Sequence, residues 1–89
     1  MKSRLLRRYW FEFEPGSLPP GVALGCGVTA HGEDDARALL AATVFHGAAM
    51  PAVRRVLEDV DISALDAAHV LPNMLEPTSR GVWFPLGYR

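Results

Sequence analysis

Cys26 is the only cysteine among 89 residues, so the chain cannot close a disulfide on itself. A single thiol with no framework around it suits a reducing compartment. Long apolar runs are also missing. The longest, Ala38 to Phe45, falls far short of the ~20 residues that span a bilayer. The opening Met1-Lys2-Ser3-Arg4-Leu5-Leu6-Arg7-Arg8 begins like the basic end of a signal peptide. The apolar stretch of ~7–15 residues that should follow is interrupted by Arg7, Arg8, Glu12 and Glu14. Neither sign of charge dominates: nine Lys and Arg against ten Asp and Glu leave a net charge of −1. That balance excludes a polyanion binder driven by bulk charge. Internal repeats and low-complexity tracts are absent as well. A cytoplasmic, single-domain protein with no membrane segment is the expectation. A chain this short buries only about 60–65% of its unfolded surface, so dimerisation or a well-filled core must supply the rest of its stability.

Alternation marks two strands. Over Leu5 to Glu14, Tyr9, Phe11 and Phe13 share one face, and Arg8, Trp10, Glu12 and Glu14 share the other. The Pro15-Gly16-Ser17-Leu18-Pro19-Pro20-Gly21 cluster breaks the chain. Val22 to Ala30 reads as the second strand, with Val22, Leu24, Cys26, Val28 and Ala30 on its apolar face; a long loop closes the antiparallel hairpin. Gly25 and Gly27 leave a bare strip on the opposite face, and Trp10 is placed to lie over it. Gly32 to His46 reads as a helix. Glu33, Asp34 and Asp35 crowd its positive end, Glu33 and Arg37 pair at i,i+4, and Gly47 is placed to take positive φ after it.

Pro51 to Ile62 fits two templates. Val53, Val56, Leu57 and Val60 keep helical spacing behind Pro51, yet the Val and Ile content favours a strand, and a lone hairpin wants a third. Ser63-Ala64-Leu65-Asp66 carries a capping signature for a short helical turn. Ala67 to Arg80 is loop, and Gly81-Val82-Trp83-Phe84-Pro85 forms a short edge strand ended by proline. The sum is an α+β fold: a small antiparallel sheet, built from the N-terminal hairpin and a third strand, packed on one main helix.

Tyr9-Trp10-Phe11-Glu12-Phe13, Gly25-Cys26-Gly27-Val28-Thr29-Ala30, the acidic helix start, Asp59-Val60-Asp61-Ile62, His69-Val70-Leu71-Pro72-Asn73-Met74 and Arg80-Gly81-Val82-Trp83-Phe84-Pro85 together give nearly the whole chain a likeness. It resembles a family of small, uncharacterised bacterial proteins of about this length. That resemblance implies a compact α+β domain and transfers no activity and no catalytic residue.

The chemical constellations are weak. Gly25-x-Gly27-x-x-Ala30 matches a dinucleotide fingerprint in letters, but its glycines fall inside a strand and the next helix opens on three carboxylates that would repel a phosphate. Cys26, His31, His46 and His69 lack the tight spacing of a metal site, and separate roles explain them: a buried thiol, a helix start, a helix end and a loop. Glu58, Asp59, Asp61 and Asp66 lack a cation-loop pattern and read as a solvated face. Lys2, Arg4, Arg7 and Arg8 beside Tyr9 and Trp10 have the composition of a single-strand nucleic-acid platform without its signatures, so nucleic acid is disfavoured. No cofactor and no metal are expected.

The rings say more. Tyr9, Trp10, Phe11 and Phe13 lie near one end of the chain, and Trp83, Phe84 and Tyr88 near the other. Strand alternation puts Trp10 opposite Phe11 and Trp83 opposite Phe84, so one helix cannot shelter them all, and the C-terminal tail or another chain must cover one set. The resulting expectation is a non-enzymatic protein-interaction module, homodimeric or of immunity or antitoxin type, contacting a protein partner or itself through Trp10, Trp83, Phe84 and Arg8. The alternative is a small ligand-binding or thiol-dependent enzymatic domain with a pocket near Cys26, Thr29 and His31.

Overall fold

The computed structural model describes residues 5–16, 18, 22–46, 50–65 and 67–85. Four strands and one helix carry the architecture: β1 (Arg7–Phe13), β2 (Cys26–Ala30), α1 (Glu33–Thr43), β3 (Val53–Glu58) and β4 (Gly81–Phe84). The strands form one sheet in the order β3-β1-β2-β4, every neighbour antiparallel. This is the expected α+β fold, and β4 is the short edge strand anticipated at Gly81 to Pro85.

Period-two alternation divides the sheet into two apolar faces. Tyr9, Phe11, Phe13, Cys26, Val28, Ala30 and Val82 meet Ala36, Leu40, Val44 and Phe45 on the α1 side. Trp10, Trp83 and Phe84 gather on the other side, under Val60, Val70 and the half-buried Leu57, Ile62, Leu65, Met74 and Leu75. The chain between β3 and β4 therefore roofs the second face. It does so with two short 3₁₀ turns, Ile62–Ala64 and Leu71–Asn73. The cover anticipated from the C-terminal tail or another chain comes instead from this internal segment, because an irregular stretch can bend apolar side chains onto a sheet face without a second helix.

The rings do not form a single cluster. β4 pairs with β2, not with β1, so the sheet separates the rings into two sets. Tyr88 lies outside the described residues. Nor do Trp83 and Phe84 point apart. Val28 faces Val82 while Gly27 faces Phe84, so Trp83 is an extra residue at a bulge. The bulge breaks the alternation and puts both rings on the Trp10 side, with centroids 6.1 Å and 5.6 Å from Trp10.

Several boundaries differ from the sequence reading. Leu5 and Leu6 precede β1, and Val22–Leu24 is a 3₁₀ turn, not strand. The strand cannot begin earlier because Gly25 sits at φ 122°, outside strand geometry. α1 is shorter than Gly32 to His46, and His46 itself takes positive φ (48°) after it. Gly47, the residue expected in that conformation, lies outside the described residues. The turn at Ile62 is capped by Asp61, whose carboxylate accepts from the Ser63 N–H at 3.0 Å, two residues ahead of the anticipated Ser63 cap. Within the Pro51 to Ile62 stretch, Val53–Glu58 is strand, since β1 offers it a ladder partner, with Arg54 the extra residue at a bulge between the Glu12–Arg55 and Phe13–Val53 pairs; Ile62 already belongs to the following 3₁₀ turn.

Two tryptophans fill the glycine strip. A Cβ on Gly25 would lie 2.6 Å from Trp10 Cζ2, and one on Gly27 would overlap the Trp83 ring. Trp10 thus covers Gly25, and Trp83, a residue the strand alternation did not assign to this face, covers Gly27. Gly27→Ala should destabilise the protein by about 1–3 kcal/mol through overpacking. Urea unfolding checks this; an unchanged midpoint would show that the indole has room to move.

Candidate functional site

The candidate residues fall into three places. Trp10, Trp83 and Phe84 are brought together, but they are only 3%, 1% and 3% exposed. They form interior, not an open ring surface, because Val60, Val70 and their neighbours lie over them. Arg8, the fourth residue of that set, is exposed on the same face of β1. The Trp83 indole N–H donates to Thr29 Oγ1 at 3.1 Å, and the Thr29 hydroxyl donates to the Pro77 carbonyl. Thr29 is therefore a structural clip between β2 and the loop before β4.

Cys26, Thr29 and His31 do not share a pocket. Cys26 is fully buried on the α1 side and Thr29 is buried on the opposite face. His31 is exposed in the turn before α1, where its backbone N–H donates to Asp35 Oδ2 at 3.0 Å. Burial pushes the Cys26 thiol up to about 12, which suppresses the nucleophilic thiolate at neutral pH. Among the described residues no three His, Cys, Asp or Glu side chains cluster as metal ligands, and no buried side-chain nitrogen or oxygen lacks a partner. Among the described residues no helix is long and apolar enough to cross a membrane.

Among the described residues, two shallow clefts stand out beside the sheet. One, of about 200 Å³, runs between Leu39 and Thr43 of α1, β4 and the Glu76–Arg80 loop. Arg80 closes its side by donating to both Asp35 oxygens, through Nε at 2.9 Å and through Nη2. The other, of about 260 Å³, lies over Trp10, Glu12, Leu24, Arg55 and Leu65. Glu12 is its polar centre. Burial alone would raise its carboxyl, but the Arg55 hydrogen bond and charge, the Trp10 indole N–H and Arg54 outweigh burial and hold it below its usual value. Arg55 lies 3.1 Å and Arg54 3.5 Å from the two Glu12 oxygens. Both clefts are smaller than the ~300–1,000 Å³ of a typical small-molecule site.

The third feature is the outer edge of β3, which sequence reading did not single out. β3 is the outermost strand and pairs with β1 alone among the described residues. The Glu14 N–H donates to Ala52 O at 2.9 Å and the Val60 N–H donates to Arg8 O at 3.1 Å, so even-numbered β1 residues turn their backbone groups towards β3. Arg55 and Leu57, the partners of Glu12 and Trp10, face back, and Val56 and Glu58 therefore turn N–H and C=O outward. Arg54, Arg55 and Glu58 are exposed along this edge, while Val53, Val56 and Leu57 are half-buried. Arg7 reaches Glu58 only at 3.7 Å, and both side chains are half or more exposed, so the pair is weak. No family model, characterised protein or solved structure matches the chain.

Two measurements follow from these placements. Thiol reagents should label Cys26 in native protein only at the rate of unfolding, and rapid labelling at neutral pH would contradict the burial. The hydrogen bond from Arg80, and then the one from the His31 backbone, hold the Asp35 carboxyl well below the usual carboxylate range. A depressed folded value stabilises above the unfolded value of about 4 and loses that contribution as pH falls. The urea midpoint of the wild type should therefore drop below pH 4 towards that of Asp35→Asn, and parallel curves would contradict the role of the pair.

Proposed function

We propose that this chain is a non-enzymatic protein-interaction module whose contact element is the outer edge of β3. The open row of N–H and C=O groups at Val56 and Glu58 carries the reading, because such an edge accepts an added strand. Backbone pairing would supply the affinity and the flanking charges the specificity. The enclosed thiol, the separation of Cys26 from Thr29, and clefts too small for most ligands all weigh on the side of contact over catalysis. A bacterial, cytoplasmic inhibitor of antitoxin or immunity type is one form of such a module, and its lone buried thiol suits that compartment.

The edge also specifies what it accepts. An antiparallel strand laid on β3 meets Glu58 and then Val56; beyond them the ladder is bulged, Glu12 facing Arg55 and Phe13 facing Val53, with Arg54 the extra residue. A complementary peptide therefore sets a basic residue against Glu58 and, two residues on, a β-branched one against Val56. Extended peptides of this pattern, titrated into ¹⁵N-labelled protein, should shift the amides of residues 55–58, and a peptide with an acidic residue in place of the basic one should bind more weakly. Shifts confined to the cleft beside α1, or no binding by any peptide of the pattern, would overturn the assignment.

A further inference from the structure

Both apolar cores stop at β3. Val56 packs on the α1 side and Leu57 on the Trp10 side, each half-buried, and among the described residues no strand lies beyond them. We propose that the partner strand laid antiparallel on this edge reads basic–apolar–β-branched–acidic, its four residues facing Glu58, Leu57, Val56 and Arg55 in that order. The inference rests on the reading of β3 as the contact element and adds the two positions that choose between partners, Leu57 and Arg55.

The ladder sets the length of the frame. At one end Arg54 is the extra residue of the bulge; at the other Asp59 takes φ 51° and the Val60 N–H turns back to Arg8 O. Arg55 to Glu58 pair regularly with β1, so a strand on the outer side meets a regular ladder only over these residues. Val56 and Glu58 carry the outward N–H and C=O groups, and the residues facing them complete hydrogen-bonded pairs. Leu57 and Arg55 fall at the non-hydrogen-bonded pairs, where facing Cα atoms approach to ~4.5 Å and side chains meet most closely. Antiparallel addition also continues the direction of every strand pair already in the sheet.

Charge gives the frame its direction. At the Glu58 end two carboxylates, Glu58 and Asp59, face the single guanidinium of Arg7 at 3.7 Å and 3.8 Å. At the other end the balance is reversed: Arg55 and Arg54 share the carboxylate of Glu12, at 3.1 Å and 3.5 Å. These ion pairs leave negative charge in excess at Glu58 and positive charge in excess at Arg55. The exposed Arg55 gives Glu12 a hydrogen bond from Nη2 and keeps the rest of its donor fork for a second carboxylate. A basic residue facing Glu58 and an acidic one facing Arg55 meet both excesses, and the opposite order sets like charges against each other at both ends. Between the charges, Leu57 and Val56 lie on opposite faces of the sheet. The two central residues of the incoming strand must therefore both be apolar, one continuing the Trp10 core and the other the α1 core. A strand that alternates apolar and polar residues satisfies only one of them.

A capped hexapeptide, threonine–lysine–leucine–valine–glutamate–threonine, titrated into the intact ¹⁵N-labelled protein at low salt, tests the frame through the amide shifts of residues 55–58. Three relatives of it isolate the added positions: glutamate changed to lysine, leucine changed to threonine, and the whole order reversed. Each should bind about three- to tenfold more weakly than the parent. Arg55→Glu should invert the first preference, so that the peptide with lysine in place of glutamate becomes the tighter ligand. Urea unfolding of that variant separates lost recognition from lost fold, and the four peptides on the wild type decide the matter without it. Equal binding of the glutamate and lysine peptides, of the leucine and threonine peptides, or of the parent and its reversal would each overturn the frame. If every peptide that sets a basic residue against Glu58 and a β-branched one against Val56 binds alike, the contact element stands and only the frame falls. If no peptide binds, both fall. A peptide-free mass of twice 9.7 kDa by light scattering, reduced by adding the parent peptide, would make a second copy the occupant and overturn the frame as well.

Discussion

Two indole rings occupy the space where two glycine side chains would be. Trp10 lies over Gly25 and Trp83 over Gly27, and the hydroxyl of Thr29 holds the Trp83 nitrogen. Much of the remaining structure depends on this contact. It lets large rings lie flat on a narrow sheet, so a short irregular segment can enclose them. It also fixes β4 to β2 at the bulge that sends Trp83 and Phe84 to the same side.

With both faces covered, the sheet has a core on each side, which is how a chain of this length hides so many rings. The aromatic surplus is thereby absorbed within one copy. What remains open is backbone, not rings. The two edges of the sheet differ in this respect. At β4 the Trp83 carbonyl already accepts from the Leu75 N–H at 2.8 Å, whereas β3 keeps its outward groups at Val56 and Glu58. An unpaired ladder is a stronger statement about contact than a scatter of exposed leucines such as Leu5 and Leu24.

The fold was legible in the residues wherever period and chemistry agreed. Tyr9, Phe11 and Phe13 against Trp10 and Glu12 gave β1 both of its faces, and the acidic start with Glu33 and Arg37 gave α1. β3 was ambiguous because Val53, Val56 and Leu57 keep helical spacing while the Val and Ile content favours a strand; the bulge at Arg54 brings Val53 and Val56 to one face against the strand period, and only the β1 ladder decides between the two readings. The bulge at Trp83 was illegible, since nothing local in Gly81-Val82-Trp83-Phe84 marks an extra residue. Strict alternation therefore sent Trp83 and Phe84 to opposite faces and made an exposed ring surface look necessary. The candidate edge could be found only once strand order was known, because a central β3 would have had both sides paired.

The account turns on rings enclosed within the chain and on contact through the β3 backbone. Residue-resolved hydrogen exchange, with and without a saturating strand peptide that sets a basic residue against Glu58 and a β-branched one against Val56, tests both together. The indole N–H groups of Trp10 and Trp83 should be protected in both states, and the Val56 and Glu58 amides should pass from fast exchange to protection when the peptide is added. Indole protons that exchange freely in the unbound protein, or Val56 and Glu58 amides that stay fast with the peptide present, would contradict it.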